Sequence, residues 1–436
     1  MWVNDWVKEA SRCGYSGEHV LGGRSGPVRY GVRTAPPDDE GRLTVSRFLA
    51  VERAVRSAPP HALLDAARSA LVEHYEAHGV ELLMADYGLT VLQPVTALPH
   101  TARPLPLHTS PEGRAFGSQE PFGQYAAEDG AVDLHLPVTV RGDRLGILTV
   151  RLPKHRCSPQ AVDELTSLAE LLGHEIIVAE RDTDLYLQAR RASRLTLAAE
   201  MQWQLLPGRS CARQEYAIGA QLEPAYAIHG DNFDWATTAE SLTLTITNGM
   251  GEGIQASLLT NLAVNALRNA RRAGIGIADQ AALADQALYA QHAGAQYVST
   301  LLLSFELATG HVRIVDAGSP QLWRQRDKAV ERIPIEAQFP LGMFDETPYV
   351  TQDFQVLPGD RLIFVSDGVY AAAGQRGEAY GERALARAIQ AASLLAAAAV
   401  PRAILGELSA YRGDAADDDE LVVCLDWFGR GTPETR

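Results

Sequence analysis

Three short acidic segments hold the side chains best suited to chemistry in this 436-residue chain. Asp231 lies in Gly230-Asp-Asn-Phe-Asp234, Asp367 in Ser366-Asp-Gly-Val369, and Asp418 in Asp417-Asp-Asp-Glu420. Each alone has an ordinary structural explanation. Asp-Gly after a strand makes a turn, an acidic run makes a solvated loop, and an aspartate before a strand makes a cap. Taken together, carboxylates on separate strand ends are how a fold builds an oxygen-ligand site for Mg²⁺ or Mn²⁺. Two such ions roughly 3.5–4 Å apart acidify a bridging water and clamp a phosphoryl oxygen. Between the first and second segments, the apolar run Leu242 to Ile246 leads into Gly249, Gly251 and Gly253, and a helical pattern follows. Glycines there let backbone approach a ligand closely or take positive φ. A tight strand-to-helix turn with no chemistry gives the same pattern, and a lone glycine-rich loop does not decide between them.

The elements around these segments follow from periodicity. Strand-like runs at 216–223, 241–247, 297–307, 311–316, 361–366 and 420–427 alternate with helical ones at 253–273, 278–292, 381–393 and 401–410. The three acidic segments fall at the ends of these strands or beside them. Upstream, apolar residues recur at helical spacing from about 46 to 78, with Pro59-Pro60 separating two helices. Short strands are expected at 80–84 and 89–92, and a long Pro-rich loop at about 97–125. Residues 132–140 and 145–152 read as a hairpin around Arg141-Gly-Asp143. Ser158-Pro159 then opens a helix as N-cap and first helical residue. From Gln160 to about Leu206 the pattern is almost continuously helical, with a stripe of Leu165, Leu168, Leu172 and Ile176. Its heptads are imperfect. A dimeric coiled linker and a helix packed within one protomer both fit it. Pro207-Gly208 ends it.

Bulk properties exclude some classes. A formal charge of −15 opposes a nucleic-acid partner. Cys13, Cys157, Cys211 and Cys424 are scattered, with neither metal-ligand nor disulfide-framework spacing, which suits a reducing cytoplasm. The N-terminus lacks the pattern of a signal peptide. No apolar run reaches the roughly 18–20 residues that span a bilayer. A soluble cytoplasmic protein is therefore expected, without membrane or nucleic-acid partners. Residues 1–45 are expected to be a poorly ordered extension.

Two resemblances follow from these segments. Helix, meander, long loop, hairpin and helix is the order of a GAF-like sensor domain. The line from Leu134 to Val150 resembles that family's closing hairpin. The resemblance implies a small-molecule ligand or a dimerisation role and names no catalytic residue. Residues from about 195 to 428 resemble the PPM (type-2C) serine/threonine phosphatases of the SpoIIE and RsbU type. The motifs are Met201-Gln-Trp-Gln-Leu-Leu-Pro207, Gly230-Asp-Asn-Phe-Asp234, Gly249-Met-Gly-Glu-Gly253 with Ala256, Val298-Ser-Thr-Leu301 and Asp316-Ala-Gly-Ser-Pro320. Pro340-Leu-Gly342, Leu357-Pro-Gly-Asp360, Ser366-Asp-Gly-Val369 and Asp418-Asp419 follow in the family's order. The resemblance implies that Asp231, Asp367 and Asp418 are metal carboxylates and that the Gly249 carbonyl is a further ligand. Asp234, Gly251, Gly253, Gly368 and Asp419 are implied in support. The implied reaction is hydrolysis of a phosphoserine or phosphothreonine monoester by water activated at Mn²⁺ or Mg²⁺, with no covalent phosphoenzyme. The implied substrate is a phosphoprotein such as an anti-sigma-factor antagonist.

The chain departs from the family at three positions. Asn248 stands where the family has its metal-bridging aspartate. An amide oxygen can still ligate a hard cation but brings no charge, so the second metal is the one in doubt. Ser319 replaces a histidine, and Leu421 stands at a usual threonine. An active phosphatase with altered metal demand and a pseudophosphatase acting as a signalling scaffold both remain open. The expected fold is α+β: an extension over 1–45, a GAF-like antiparallel sheet with helices over 46–178, and a helical linker over 179–207. A PPM-type sandwich of two antiparallel sheets flanked by helices is expected over 208–430. A long helix joins the two halves and offers a homodimer seam.

Overall fold

The computed structural model describes residues 39–96, 103–125, 130–227, 230–318, 320–374, 378–413 and 418–430. The expected N-terminal extension lies outside these residues as far as position 38, and a helix already begins at Asp39. The chain divides into two units. One holds residues up to Arg190 apart from two short segments. The other holds Arg191 onward together with Asp86–Thr90 and Thr139–Arg144.

The first unit runs α1 (Asp39–Ser57), α2 (Leu63–Tyr75), β1 (Gly79–Ala85), β2 (Val91–Pro94), β3 (Leu105–Pro106), α3 (Pro111–Ser118), β4 (Phe122–Tyr125), β5 (Ala131–Val140), β6 (Asp143–Pro153), α4 (Pro159–Ala179) and α5 (Leu185–Ala189). Its six strands form one sheet in the order β3-β2-β1-β6-β5-β4. β1 pairs antiparallel with both β2 and β6. Pro59-Pro60 separates α1 from α2, and Ser158 caps α4 by accepting from the Ala161 amide at 3.2 Å, both as the sequence predicts. The Pro-rich loop holds a helix that periodicity missed. Ser110 accepts from the Gly113 amide at 3.0 Å, and Pro111 fills the first position of α3.

The long helix expected over 160–206 is instead three helices. Thr183 Oγ1 accepts from the Leu185 amide at 3.3 Å, and Thr196 Oγ1 accepts from the Ala199 amide at 3.1 Å. Such short side chains offer the backbone an alternative partner, and Thr196 caps the helix that follows it. The stripe of Leu165, Leu168, Leu172 and Ile176 on α4 is buried within a single chain, so it does not form an open seam for a partner helix.

The second unit runs α6 (Leu197–Leu205), β7 (Ser210–Ala212), β8 (Tyr216–Glu223), β9 (Asn232–Thr237), β10 (Ser241–Asn248), α7 (Gly253–Arg272), α8 (Ile277–His292), β11 (Ser299–Glu306), β12 (His311–Ala317), β13 (Gln321–Arg326), β14 (Ala329–Arg332), β15 (Gln352–Gln355), β16 (Arg361–Val365), a single turn α9 (Asp367–Tyr370), α10 (Gly381–Ala391), α11 (Val400–Arg412) and β17 (Glu420–Trp427). A five-stranded sheet has the order β15-β12-β11-β10-β9, and a six-stranded sheet the order β14-β13-β16-β17-β8-β7. Side chains alternate across each strand, so a central strand presents one face to the inter-sheet core and the other to a helical layer. Leu242, Leu244, Ile246, Leu301, Leu303 and Phe305 face Ile218, Leu362, Phe364, Val423 and Leu425 in one core between the sheets. On the outer face of the five-stranded sheet, Leu302 and Val315 pack with Leu259, Leu267 and Leu288 of α7 and α8. On the outer face of the other sheet, Ile363 and Val422 pack with Leu385, Ile389, Ile404 and Leu408 of α10 and α11. Two antiparallel sheets between two helical layers is the architecture expected from the sequence. Each fully buried leucine or phenylalanine contributes about 1.5–3 kcal/mol. Among the described residues no helix is long and apolar enough to cross a membrane.

Candidate metal centre

Four strand ends converge at one end of the sandwich. Asp231 precedes β9 and Asn248 ends β10. Asn232 stands opposite Thr247, and Asn248 stands opposite Ser299 on β11. In the other sheet Val365 stands opposite Val422, so Ser366 and Asp367 share an end with Asp418 and Asp419. One carboxylate oxygen joins the two sheets: Asp419 Oδ2 accepts from the Gly230 amide at 2.7 Å and the Asp231 amide at 3.0 Å. Asp231 Oδ1 accepts from the Gly249 amide at 3.3 Å.

Close approach explains two glycines. A Cβ on Gly249 would come within 2.3 Å of the Gly230 carbonyl oxygen, and one on Gly368 within 2.0 Å of the Asp419 carbonyl oxygen. Gly251 and Gly253 serve differently, since their φ angles of 90° and 63° turn the chain into α7 and no atom crowds them.

The electrostatics single out Asp231. It is 2% exposed, and its Oδ2 has no hydrogen-bond partner. Burial pushes its carboxyl well above the usual range. The neighbouring Asp419 pushes it further, and Asp367 and Asp418 add to this. The Ser366 hydroxyl relieves it by more than either Asp367 or Asp418 adds, although its hydrogen bonds run to the Asp419 carbonyl and from the Leu421 amide. The charged groups that shift Asp231 most are thus other carboxylates. A fully buried carboxylate oxygen without a partner is costly unless it takes up a proton or a cation.

This donor chemistry fits a hard divalent cation: carboxylate and amide oxygens, with an orphan oxygen at the centre. Asp231, Asp367 and Asp418 are the carboxylates available to hold it, with Asn248 at the margin. The carboxylates are not drawn together into a finished ligand shell. Among the described residues no three His, Cys, Asp or Glu side chains form a ready metal-ligand group. Asp418 is exposed and Asp367 half-buried, whereas Asp231 and Asp419 are buried. Gly249 is seen here donating its amide to Asp231.

Other candidates have different duties. Asp234 is held by Arg268, with contacts at 2.7 and 3.1 Å, and by Arg271 at 2.8 Å. Arg268 also donates to the Leu205 carbonyl at 2.7 Å. Asp234 therefore latches β9 to α7 and to the end of α6. Gly342 donates to Asp285 at 2.7 Å, and Asp360 receives both arms of Arg326 at 2.7 Å, so two of the quoted motifs anchor turns. His229, Ser319 and Asp417 lie outside the described residues. Asp316, just before Ser319, is pushed up to about 6 by burial, partly offset by the Gly318 amide and by Arg332.

Periodicity did not expose three polar residues beside the site. Thr260 Oγ1 donates to the Gly230 carbonyl at 2.6 Å. Asn232 donates to Gln202 Oε1 of α6 at 3.2 Å, and Ser257 donates to the Ala198 carbonyl at 3.3 Å. The available signal was Ser257 and Thr260 among the buried residues of an amphipathic helix.

Residues 238–428 match the family model "Stage II sporulation protein E (SpoIIE)". This stretch is therefore similar to SpoIIE-type PPM phosphatase domains. The match takes in Asn248, Gly249, Asp367 and Asp418 and begins after Asp231. The chain is also 22% identical over 200 residues to Phosphoserine phosphatase RsbU of Bacillus subtilis (strain 168), covering 46% of this chain and 60% of that one. Among solved structures, the phosphatase domain with a regulatory fragment of SpoIIE from Bacillus subtilis is 19% identical, with a TM-score of 0.44. That match covers 50% of this chain and 66% of the other. The SiaA-PP2C domain of Pseudomonas aeruginosa is 20% identical, with a TM-score of 0.46, over 53% of this chain and 93% of that one.

Proposed function

We propose that the second unit is a metal-dependent protein serine/threonine phosphatase with a regulatory role. The observation that carries this reading is the buried Asp231 carboxylate, whose Oδ2 has no partner and beside which Asp419, Asp367 and Asp418 all oppose its charge. In this reading Asp231, Asp367 and Asp418 hold Mn²⁺ or Mg²⁺, with Asn248 as a weakened fourth position. When bound, the cation supplies an acidified water and neutralises charge on the phosphoryl oxygens. The chain's own residues contribute position and charge. Asp231 is fixed from its backbone side and through Oδ1, so its free oxygen points to one use. Asp367 starts a helical turn directly after β16, and Asp418 stands at the mouth of β17. The substrate is a phosphoserine or phosphothreonine protein, such as an anti-sigma-factor antagonist. The first unit is read as a GAF-like regulatory module for a small ligand, in a cytoplasmic protein.

A second reading is a catalytically impaired scaffold that binds a phosphoprotein without turning it over. Asn248 favours it, because the amide brings no negative charge to the bridging position. Hydrolysis of p-nitrophenyl phosphate with Mn²⁺ or Mg²⁺ separates the two readings. The enzyme reading expects turnover that is abolished in Asp367→Asn. Wild-type silence with both metals, together with activity recovered in Asn248→Asp, supports the scaffold instead.

A further inference from the structure

Gly230 sits in a clamp closed from three directions. Its amide and that of Asp231 donate to the same oxygen of Asp419, at 2.7 and 3.0 Å. Its carbonyl accepts from Thr260 Oγ1 of α7 at 2.6 Å. Gly249 packs on it so closely that a Cβ on Gly230 would lie 2.9 Å from the Gly249 Cα. The jaws are themselves buried: Asp419 is 1% exposed and Thr260 fully buried. Asp419 is anchored in turn, since its carbonyl accepts from Ser366 Oγ at 3.3 Å and its amide donates to Asp418 Oδ1 at 2.8 Å.

We infer that Asp419 is a positioning residue, working with Thr260 to fix the Gly230–Asp231 peptide, and that it is not one of the metal-holding carboxylates. Oδ2, which accepts both backbone amides, has its lone pairs committed to the chain and is withdrawn from any cation. It joins the six-stranded sheet, through the start of β17, to the five-stranded sheet, through the start of β9. Thr260 ties the same peptide to the helix that follows the glycine turn. The three elements that border the site therefore meet at a single peptide group. The adjacent Asp418 is exposed and carries no such bond from Gly230 or Asp231, so the two neighbouring carboxylates divide the work. This division rests on the phosphatase reading only for the metal arm of its test. The clamp is a property of the chain.

Amide hydrogen exchange of the full chain in EDTA, resolved to peptides spanning residues 225–235, tests the clamp directly. Expected is strong protection at Gly230 and Asp231 in the wild type. Asp419→Asn keeps an acceptor oxygen, and protection should stay within about threefold. Asp419→Ala and Thr260→Val should each raise exchange by at least about thirtyfold at those amides, since local opening then loses its restraint. Thr260→Val leaves the carboxylates intact and keeps the test usable if Asp419→Ala does not fold. Calorimetric titration with Mn²⁺ supplies the second arm. Asp418→Asn should lose at least tenfold in affinity while retaining amide protection, and Asp419→Asn should lose less than threefold. Unchanged protection in Thr260→Val and Asp419→Ala overturns the clamp. A larger Mn²⁺ loss in Asp419→Asn than in Asp418→Asn, with protection intact, makes Asp419 a ligand and also overturns it. If wild type binds no Mn²⁺, the phosphatase reading fails and the exchange arm still decides the clamp.

Discussion

Replacing Asp231 with Asn should make the second unit more stable without metal and less stable with it. The carboxylate is 2% exposed, its Oδ2 is unpartnered, and Asp419, Asp367 and Asp418 all oppose its charge. The amide removes that charge and keeps an oxygen to accept from Gly249. A buried polar group left unsatisfied costs about 1–3 kcal/mol, and more when charged, so at least about 2 kcal/mol should be recovered. At about 2–4 °C per kcal/mol for a unit of this size, the variant should melt about 4–8 °C higher in EDTA. With Mn²⁺ at a hundred times its dissociation constant, the wild type should gain about 2.7 kcal/mol by mass action. The variant should gain little, so the order of the two melting points reverses. Trp203, Trp235, Trp323 and Trp427 all lie in this unit and are the chain's only tryptophans beyond Trp2 and Trp6. Tryptophan-monitored thermal unfolding in EDTA and in Mn²⁺ therefore reads the right part of the molecule. A variant that melts below wild type in EDTA would show that Asp231 is already satisfied. Equal stabilisation of both proteins by Mn²⁺ would falsify its role as a ligand.

Three further outcomes are expected. Asn248→Asp should raise Mn²⁺ affinity by about tenfold or more, the scale on which even indirect partners of a metal matter. Calorimetric titration checks this, and an unchanged affinity removes Asn248 from the site. Asp234→Ala leaves Arg268 and Arg271 without their shared partner and should cost about 3–5 kcal/mol, measured by urea unfolding. A loss under about 1 kcal/mol means the latch is dispensable. Asp316 has its carboxyl raised from 3.8 to about 6, so between these values the folded chain holds a proton that the unfolded chain releases. Its contribution to stability is complete below about pH 4 and is lost as pH rises through 6. Asp316→Asn should therefore be about 1–3 kcal/mol more stable than wild type at pH 7.5 and equal to it near pH 4. Urea titrations at the two pH values check the sign, and an advantage seen only at low pH contradicts it.

The glycine turn from Gly249 to Gly253 shows how far pattern alone can go. Three glycines at alternate positions between a strand and a helix signalled an unusual backbone, and the backbone is unusual. Their separate reasons were not legible: Gly249 answers to the carbonyl of Gly230, some twenty residues away in sequence, whereas Gly251 and Gly253 answer to their own φ angles. Strands such as β10, which alternates, and β11 and β16, which are continuous apolar runs, were legible because burial on one or both faces leaves its mark in the sequence. β9 and β14 were not. β9 carries Asp234 on a buried face, where two arginines from α7 neutralise it, and β14 is a mostly exposed edge. The helix over 160–206 was read too long because apolar period does not register a threonine that caps its own chain.

Residue types by themselves marked which atoms could meet a hard cation, since Asp231, Asn248, Asp367 and the 417–419 run offer oxygen ligands beside strand-like segments. They also determined the architecture, because strand and helix periods each demand a face to bury. Tertiary structure alone decided which acid does what. Asp418 and Asp419 are adjacent and chemically identical, and no periodicity separates them. One points to solvent, and the other is closed on the amides of Gly230 and Asp231. That distinction is made by the meeting of two sheets, where burial and the direction of an amide set the work of a carboxylate.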